Sequence, residues 1–158
     1  MKPLPVSHAR VMPKPARPSC HDAPQVPPLF LEMLQQAISG EASAVEFYTM
    51  LLAMAPSDFA RDQVAHALAD EKKHLANFSA VYHRLTGLQP RPEVSVPAFD
   101  TFLAGIEYAI IDELEAYEMY RDMLLMVSDQ WIRDIMFDAL TDEMEHAVRF
   151  TNLAAMLR

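Results

Sequence analysis

Glycine and cysteine are scarce in this chain of 158 residues, which contains three glycines and a single cysteine, Cys20. One cysteine can form neither an internal disulfide nor a four-cysteine metal module, so iron held by several thiolates is excluded. Proline is also rare in most of the chain, because eight of the 12 prolines lie within residues 1–28. A β-sandwich or a doubly wound fold needs frequent turns, so these shortages favour an all-α protein.

Long uncharged apolar runs are missing as well. No segment approaches the roughly 18 residues that a membrane-spanning helix requires, and residues 1–28 lack the apolar centre of a secretory signal. We therefore expect a cytoplasmic protein with no membrane partner. The formal net charge is −9, and residues 1–28, with four basic residues and one acidic residue, do not contribute to this excess. The acidic remainder disfavours nucleic acid as a partner.

Apolar periodicity divides the chain into a tail and a helical domain. Residues 1–28 carry too little periodic apolar content to fold, which predicts a flexible Pro-rich tail followed by a folded domain over residues 29–158. Helices are predicted from Leu29 to just before Pro56, from about Asp58 to Leu85, from about Pro97 to Val127, and from just after the cap at Ser128-Asp129 to near Leu157.

The connection between the second and third predicted helices selects the topology. Prolines in and around residues 87–96 favour an extended path of about 3.1 Å per residue, which is long enough to run nearly the length of a bundle. An antiparallel neighbour would need much less chain. We therefore predict a four-helix bundle made of two helical hairpins joined by a long crossover.

The two predicted hairpins repeat each other at an offset of 72 residues. Identical residues occur at eleven pairs of positions: Glu41/Glu113, Ala44/Ala116, Glu46/Glu118, Tyr48/Tyr120, Leu52/Leu124, Ala67/Ala139, Leu68/Leu140, Asp70/Asp142, Glu71/Glu143, His74/His146 and Phe78/Phe150. Each half is therefore interpreted as one copy of a duplicated helical hairpin.

Six of the repeated glutamates and histidines are placed to bind metal ions together. Glu71 and His74 lie three residues apart on one helical face, as do Glu143 and His146, so both members of each pair can reach one ion. The hairpin turns bring one further glutamate per repeat to the same level. The predicted ligands are Glu41, Glu71, His74, Glu113, Glu143 and His146.

Four carboxylates in a low-dielectric interior repel one another, and two divalent cations would cancel their charge. Oxygen-rich ligation with one imidazole per metal suits iron(II) or manganese(II). The alternative is a solvated acidic face, the usual location of helical glutamates. It does not explain why the six residues recur at one offset.

The motifs resemble the ferritin-like superfamily, and within it the rubrerythrin-like di-iron proteins. The resemblance covers roughly residues 29–157 and rests on Gly40-Glu41 through Tyr48 and on Asp70-Glu71-Lys72-Lys73-His74, while Asp142 to Ala147 resembles a bacterioferritin ligand helix. It implies two iron ions, with manganese as the alternative. It also implies an oxidoreductase of the ferroxidase or peroxide-scavenging type, which oxidises Fe(II) with O2 or H2O2. The electron donor is unknown.

The chain departs from that pattern at one ligand position. Rubrerythrins proper have a further glutamate where this sequence has Ala116, and they carry a cysteine-ligated iron module that one cysteine cannot supply. Three alternatives to oxidase activity stay open, namely iron storage, a structural metal-binding bundle without turnover, and a di-manganese catalase. A homo-oligomer is also left open.

Two further pairs of repeated residues are candidates for roles beside the metals. Tyr48 and Tyr120 lie on the same stripe as the first ligand of each repeat, so we predict a catalytic role in which they hydrogen-bond ligand carboxylates or pass an electron. Ordinary core tyrosines are the alternative. Asp70 and Asp142 could orient a metal-bound histidine across the bundle, with a surface role as the alternative.

Overall fold

The computed structural model describes residues 24–158, so most of the predicted tail lies outside the described part. The described chain forms four helices: α1 Pro28–Ala53, α2 Asp58–Thr86, α3 Phe102–Met126 and α4 Gln130–Leu157. The predicted all-α four-helix bundle is confirmed. None of these helices has an apolar segment long enough to cross a membrane.

The bounds of α2 agree with its sequence signals. The Ser57 hydroxyl accepts a hydrogen bond from the Ala60 backbone N–H at 3.2 Å, which satisfies a donor that the first turn leaves free. At the other end Gly87 adopts a left-handed conformation with φ of 74° and donates its N–H to the His83 carbonyl at 2.8 Å. Glycine suits this position because it has no Cβ to clash.

The predicted start of α3 at Pro97 was wrong, since the helix begins at Phe102. Thr101 is the N-cap, and its hydroxyl accepts from the Ala104 N–H at 3.1 Å. The preceding residues stay extended, and Phe99 packs its ring against Phe47 with centroids 5.0 Å apart. This contact and the Thr101 cap place the helix start five residues after the proline.

The connection from α2 to α3 runs along α1, as predicted for a long crossover. The backbone N–H of Glu93 donates to the Ser39 hydroxyl at 3.1 Å, and that of Ser95 donates to the Ser43 hydroxyl at 3.0 Å. These bonds fasten the connection to α1 over one turn of that helix. The connection therefore runs lengthwise along the bundle, and the two hairpins that it joins lie side by side.

Each helix packs against two neighbours: α1 against α2, α3 against α4, α1 against α3 and α2 against α4. The apolar core is divided into two clusters, one toward each end of the bundle. One contains Phe30, Leu34, Phe78, Met123 and Met136, and the other contains Phe47, Leu51, Val64, Ile106 and Phe150. Buried polar residues lie between the two clusters, near the middle of all four helices.

Candidate metal centre

The structure brings all six predicted ligands together in the interior. None of them is more than 3% exposed, and within residues 24–158 they are the buried charged or polar residues of the core. α1 and α3 contribute one glutamate each, and α2 and α4 contribute a glutamate and a histidine each. The spacing of three residues places each Glu–His pair on one inward face.

The six side chains form two overlapping groups whose ligand atoms lie within 4.8 Å of one another. The first group is Glu41, Glu71, His74 and Glu143, and the second is Glu71, Glu113, Glu143 and His146. Two glutamates belong to both groups. The arrangement therefore matches two neighbouring cation positions with shared carboxylates.

Glu71 and Glu143 each direct one oxygen toward each histidine. His74 Nδ1 lies 3.1 Å from Glu143 Oε1 and 3.5 Å from Glu71 Oε2. His146 Nδ1 lies 3.2 Å from Glu143 Oε2 and 3.4 Å from Glu71 Oε1. A carboxylate whose two oxygens face two different imidazoles is placed to bridge two metal ions.

The remaining two glutamates, Glu41 and Glu113, each lie near one of the two histidines. Each also accepts a hydrogen bond from a tyrosine of the other repeat. Glu41 Oε2 lies 3.8 Å from His74 Nδ1, and Glu113 Oε2 lies 3.4 Å from His146 Nδ1. Tyr120 donates its hydroxyl to Glu41 Oε1 at 2.5 Å, and the Tyr48 hydroxyl donates to Glu113 Oε1. Both tyrosines thus bond across from one hairpin to the other, between α1 and α3.

The outer nitrogen of each histidine faces an aspartate on the opposite helix. His74 Nε2 lies 3.1 Å from Asp142 Oδ2, and His146 Nε2 lies 3.3 Å from Asp70 Oδ2. An aspartate that accepts the Nε2 proton leaves Nδ1 available to a metal, which selects the tautomer. Of the two roles considered for these aspartates, the geometry matches the orienting one.

Lys73 joins the two aspartates, a contact that sequence reasoning missed. Its Nζ lies 2.7 Å from Asp142, 3.4 Å from Asp70 and 3.3 Å from Asp138. Hydrogen bonding and attraction to Asp142 raise the Lys73 pKa despite partial burial. The spacing of three residues between Asp70 and Lys73 was the available signal, but it does not reveal the cross-helix contact.

Burial and mutual repulsion disturb the ionisation of the metal-free cluster. Burial first, then repulsion by Glu71, raises the pKa of Glu41 well above 4.5, and burial with Glu143 as neighbour raises that of Glu113. Burial opposes the charged form of His74, but the adjacent carboxylates of Glu143 and Glu71 raise its pKa to about 10. The cluster therefore retains protons when no cation is present.

Three buried atoms of the first group make no hydrogen bond of good geometry within the described chain, although His74 Nδ1 lies 3.1 Å from Glu143 Oε1: Glu41 Oε2, His74 Nδ1 and Glu143 Oε1. A buried polar atom without a partner costs about 1–3 kcal/mol. All three atoms belong to predicted ligands, and Glu41 Oε2 and Glu143 Oε1 lie 3.8 Å and 3.1 Å from His74 Nδ1, so a cation among them would satisfy them together. The donor set, with carboxylate oxygens and one imidazole nitrogen per position, fits iron(II) or manganese(II).

A cavity of about 260 Å³ leads to the carboxylates between α1 and α3. Small residues, Gly40, Ala44 and Ala116, line it together with Met119 and the two tyrosines, and the exposed residues Asp112 and Glu115 also belong to its lining. Ala116 occupies the position where rubrerythrins proper were expected to carry another ligand. Its methyl group leaves space beside the centre for a small molecule.

A four-helix bundle with a crossover and a buried cluster of carboxylates and histidines is typical of a ferritin-like protein. The Rubrerythrin family model matches residues 32–154, and the chain belongs to the Rubrerythrin family. An uncharacterized protein of Bacillus subtilis (strain 168), YhjR, is 34% identical over 123 residues, which is 78% of this chain and 85% of YhjR.

Two solved structures are similar in fold. The dodecameric thioferritin of Bacteroides fragilis, a bacterioferritin-related protein, has a TM-score of 0.70 at 16% identity and is covered over 88% of its chain, with 81% of this chain. The manganese catalase KatB of Anabaena has a TM-score of 0.70 at 16% identity, with 84% of this chain and 74% of KatB covered. At these identities the similarity concerns the fold alone.

Proposed function

We propose that this protein is a di-iron carboxylate oxidoreductase that oxidises Fe(II) with O2 or H2O2. One observation carries the proposal: Glu71 and Glu143 each turn one oxygen toward each of two histidines, around buried ligand atoms that lack partners. Two Fe(II) ions held there would supply two electrons, which with two protons reduce H2O2 to two water molecules or O2 to H2O2, and this chemistry would belong to the metal.

The side chains divide the tasks of this site. The proposed ligands are Glu41, Glu71, His74, Glu113, Glu143 and His146. Asp70 and Asp142 hold the histidines in the tautomer that presents Nδ1 inward. In the metal-free chain the raised pKa values of Glu41 and Glu113 keep protons on the cluster, so metal binding releases protons.

Tyr48 and Tyr120 are proposed as the catalytic tyrosines. Each donates its hydroxyl to a glutamate that lies near only one of the two proposed metal positions. This hydrogen bond orients that carboxylate, whereas Glu71 and Glu143, the proposed bridging carboxylates, receive none from these tyrosines. Both rings line the cavity between α1 and α3 that reaches the centre. This position suits a residue that passes an electron to the site from a donor outside it.

Oxidation of added iron tests the proposal. Fe(II) supplied anaerobically and then exposed to O2 or H2O2 should give ferric absorbance with the wild type and little with the Glu71→Ala/Glu143→Ala double variant. Glu46→Ala/Glu118→Ala is the matched control, because those glutamates repeat at the same offset but lie on the exposed surface. Equal absorbance from the wild type and the ligand variant would contradict the proposal.

The same experiment distinguishes catalysis from storage and iron from manganese. Absorbance that saturates near two ferric ions per chain supports an oxidase centre, whereas continued uptake supports storage. Metal analysis of protein purified without added metal identifies the native ion. The proposal includes a cytoplasmic location, which fractionation of cells that express the full-length chain would test.

A further inference from the structure

The internal repeat changes charge next to the two predicted metal-binding histidines. An aspartate, a glutamate and a histidine recur with the same spacing in residues 70–74 and 142–146. The residue that precedes the histidine is Lys73 in the first copy and Glu145 in the second. The duplication therefore keeps the ligands and the aspartates behind them, but it places a cation beside one histidine and an anion beside the other.

Lys73 lies between the two aspartates and closer to one of them. Its Nζ donates to Asp142 Oδ2 at 2.7 Å, and the same oxygen faces His74 Nε2 at 3.1 Å. Its closest contact with Asp70 is longer, 3.4 Å, and involves Oδ1, whereas Asp70 Oδ2 is the oxygen that faces His146. In these closest contacts the ammonium group shares an acceptor atom with His74 and not with His146.

Asp70 meets an imidazole where Asp142 meets an ammonium group. His66 Nε2 lies 3.3 Å from Asp70 Oδ2, and His66 is charged only when it is protonated. Glu145, an anion, lies 3.5 Å from the same nitrogen of His66. The nearby cation Arg149 donates to Glu145 Oε1 at 2.7 Å, so its charge is balanced there. The two orienting aspartates are therefore paired with groups of different charge.

We propose that Lys73 makes the two metal positions unequal, so that the position beside His146 holds a divalent cation more tightly than the position beside His74. The difference rests on the metal centre proposed above and determines which of its positions fills first. A carboxylate that accepts the second N–H of a metal-bound imidazole makes that imidazole a stronger ligand. Lys73 competes with His74 for one oxygen of Asp142 and weakens this effect, and its positive charge also repels a cation bound there.

The contribution of a whole orienting partner sets an upper limit on this difference. Loss of such a partner lowers metal affinity about 10–100-fold. Lys73 leaves Asp142 in place and only shares its oxygen, and it also lies 3.3 Å from Asp138, which balances part of its charge. The side chain is 41% exposed, so solvent screens it further. The expected ratio of the two affinities is therefore smaller, roughly threefold to tenfold.

Crystals of the full chain loaded with one Mn(II) ion per chain test which position fills first. Manganese(II) suits oxygen-rich sites and has its own absorption edge. Anomalous scattering should show roughly three to ten times more manganese beside His146 Nδ1 than beside His74 Nδ1. Lys73→Met, which keeps the length of the side chain without its charge, should bring the two occupancies close to equality. Lys73→Arg, which keeps the charge, should retain the wild-type ratio.

Lys72→Met is the matched control, because it removes the same charge from the neighbouring exposed position of α2. It should keep the wild-type ratio, and a ratio that falls as far as in Lys73→Met would overturn a role for the contact with Asp142. Equal occupancies in the wild type, or an unchanged ratio in Lys73→Met, overturn the proposal and leave the metal centre intact. Manganese at neither position would contradict the metal centre itself, and the unequal positions with it.

Discussion

Replacing Glu41 with glutamine should stabilise the metal-free protein while weakening metal binding. Burial and repulsion by Glu71 and Glu143 raise the pKa of Glu41 well above 4.5, so at pH 7 the folded chain holds a proton that the unfolded chain releases. At about 1.4 kcal/mol per pH unit between 4.5 and 7, this uptake costs at most about 3.5 kcal/mol. Glutamine is neutral and nearly the same size, and it can still accept from Tyr120.

The expected gain in the free energy of unfolding is about 1–3 kcal/mol, or roughly 4–10 °C in melting temperature for a domain of this size. The assay is thermal denaturation after treatment with a chelator, with the exposed Glu46→Gln as the control. The gain should shrink as the pH falls toward 4.5, because wild-type Glu41 is then protonated in both states. With metal present the order should reverse, since an amide is a poorer ligand than a carboxylate.

A Glu41→Gln variant that melts at or below the wild-type temperature without metal would refute this reasoning. It would mean that Glu41 is stabilised as an ion by the protein alone. The cluster would then be an internal ion network around the histidines, and cations would not be needed to balance its charge.

Further predictions concern the histidine partner and two glycines. Asp142→Asn should lower metal affinity about 10–100-fold in a competitive titration, because His74 loses the carboxylate that orients it; unchanged affinity would contradict the orienting role. Gly105→Ala should reduce the free energy of unfolding by about 1–3 kcal/mol, since a Cβ there would lie 2.6 Å from Leu51 Cδ1 and 3.0 Å from Phe99 Cδ2. Gly40→Ala, where a Cβ meets nothing within 4 Å, should instead stabilise α1 by about 0.5–1 kcal/mol in chemical denaturation, and a loss at Gly40 as large as that at Gly105 would refute the steric argument.

The four-helix bundle and the cluster of six buried glutamates and histidines could both be predicted from the sequence, because both depend on the spacing of residues along a helix. Glu71 and His74 share a face through helical geometry alone, and duplication then places Glu143 and His146 around the same axis. The ligand role of these residues stays a prediction. These residues lie at one level of the bundle because of the two hairpin turns, and residues such as Pro56 and Ser128 mark those turns in the sequence.

The particular partner residues in the contacts between the hairpins could not be predicted in the same way. The hydrogen bond from Tyr48 to Glu113 requires α1 and α3 to be neighbours, and spacing within one helix does not specify which helices are adjacent. The same applies to Lys73 and Asp142 between α2 and α4. The start of α3 was misplaced because Pro97 is compatible with a first helical turn, whereas the helix is capped at Thr101, after Phe99 of the crossover has packed against Phe47.

Anomalous scattering from crystals loaded with Fe(II) tests the central claim most directly. The account predicts two peaks per chain at the iron edge, one beside His74 Nδ1 and one beside His146 Nδ1, with Glu71 and Glu143 between them. A single peak, or peaks only at the protein surface, would contradict a dinuclear centre built from these six side chains.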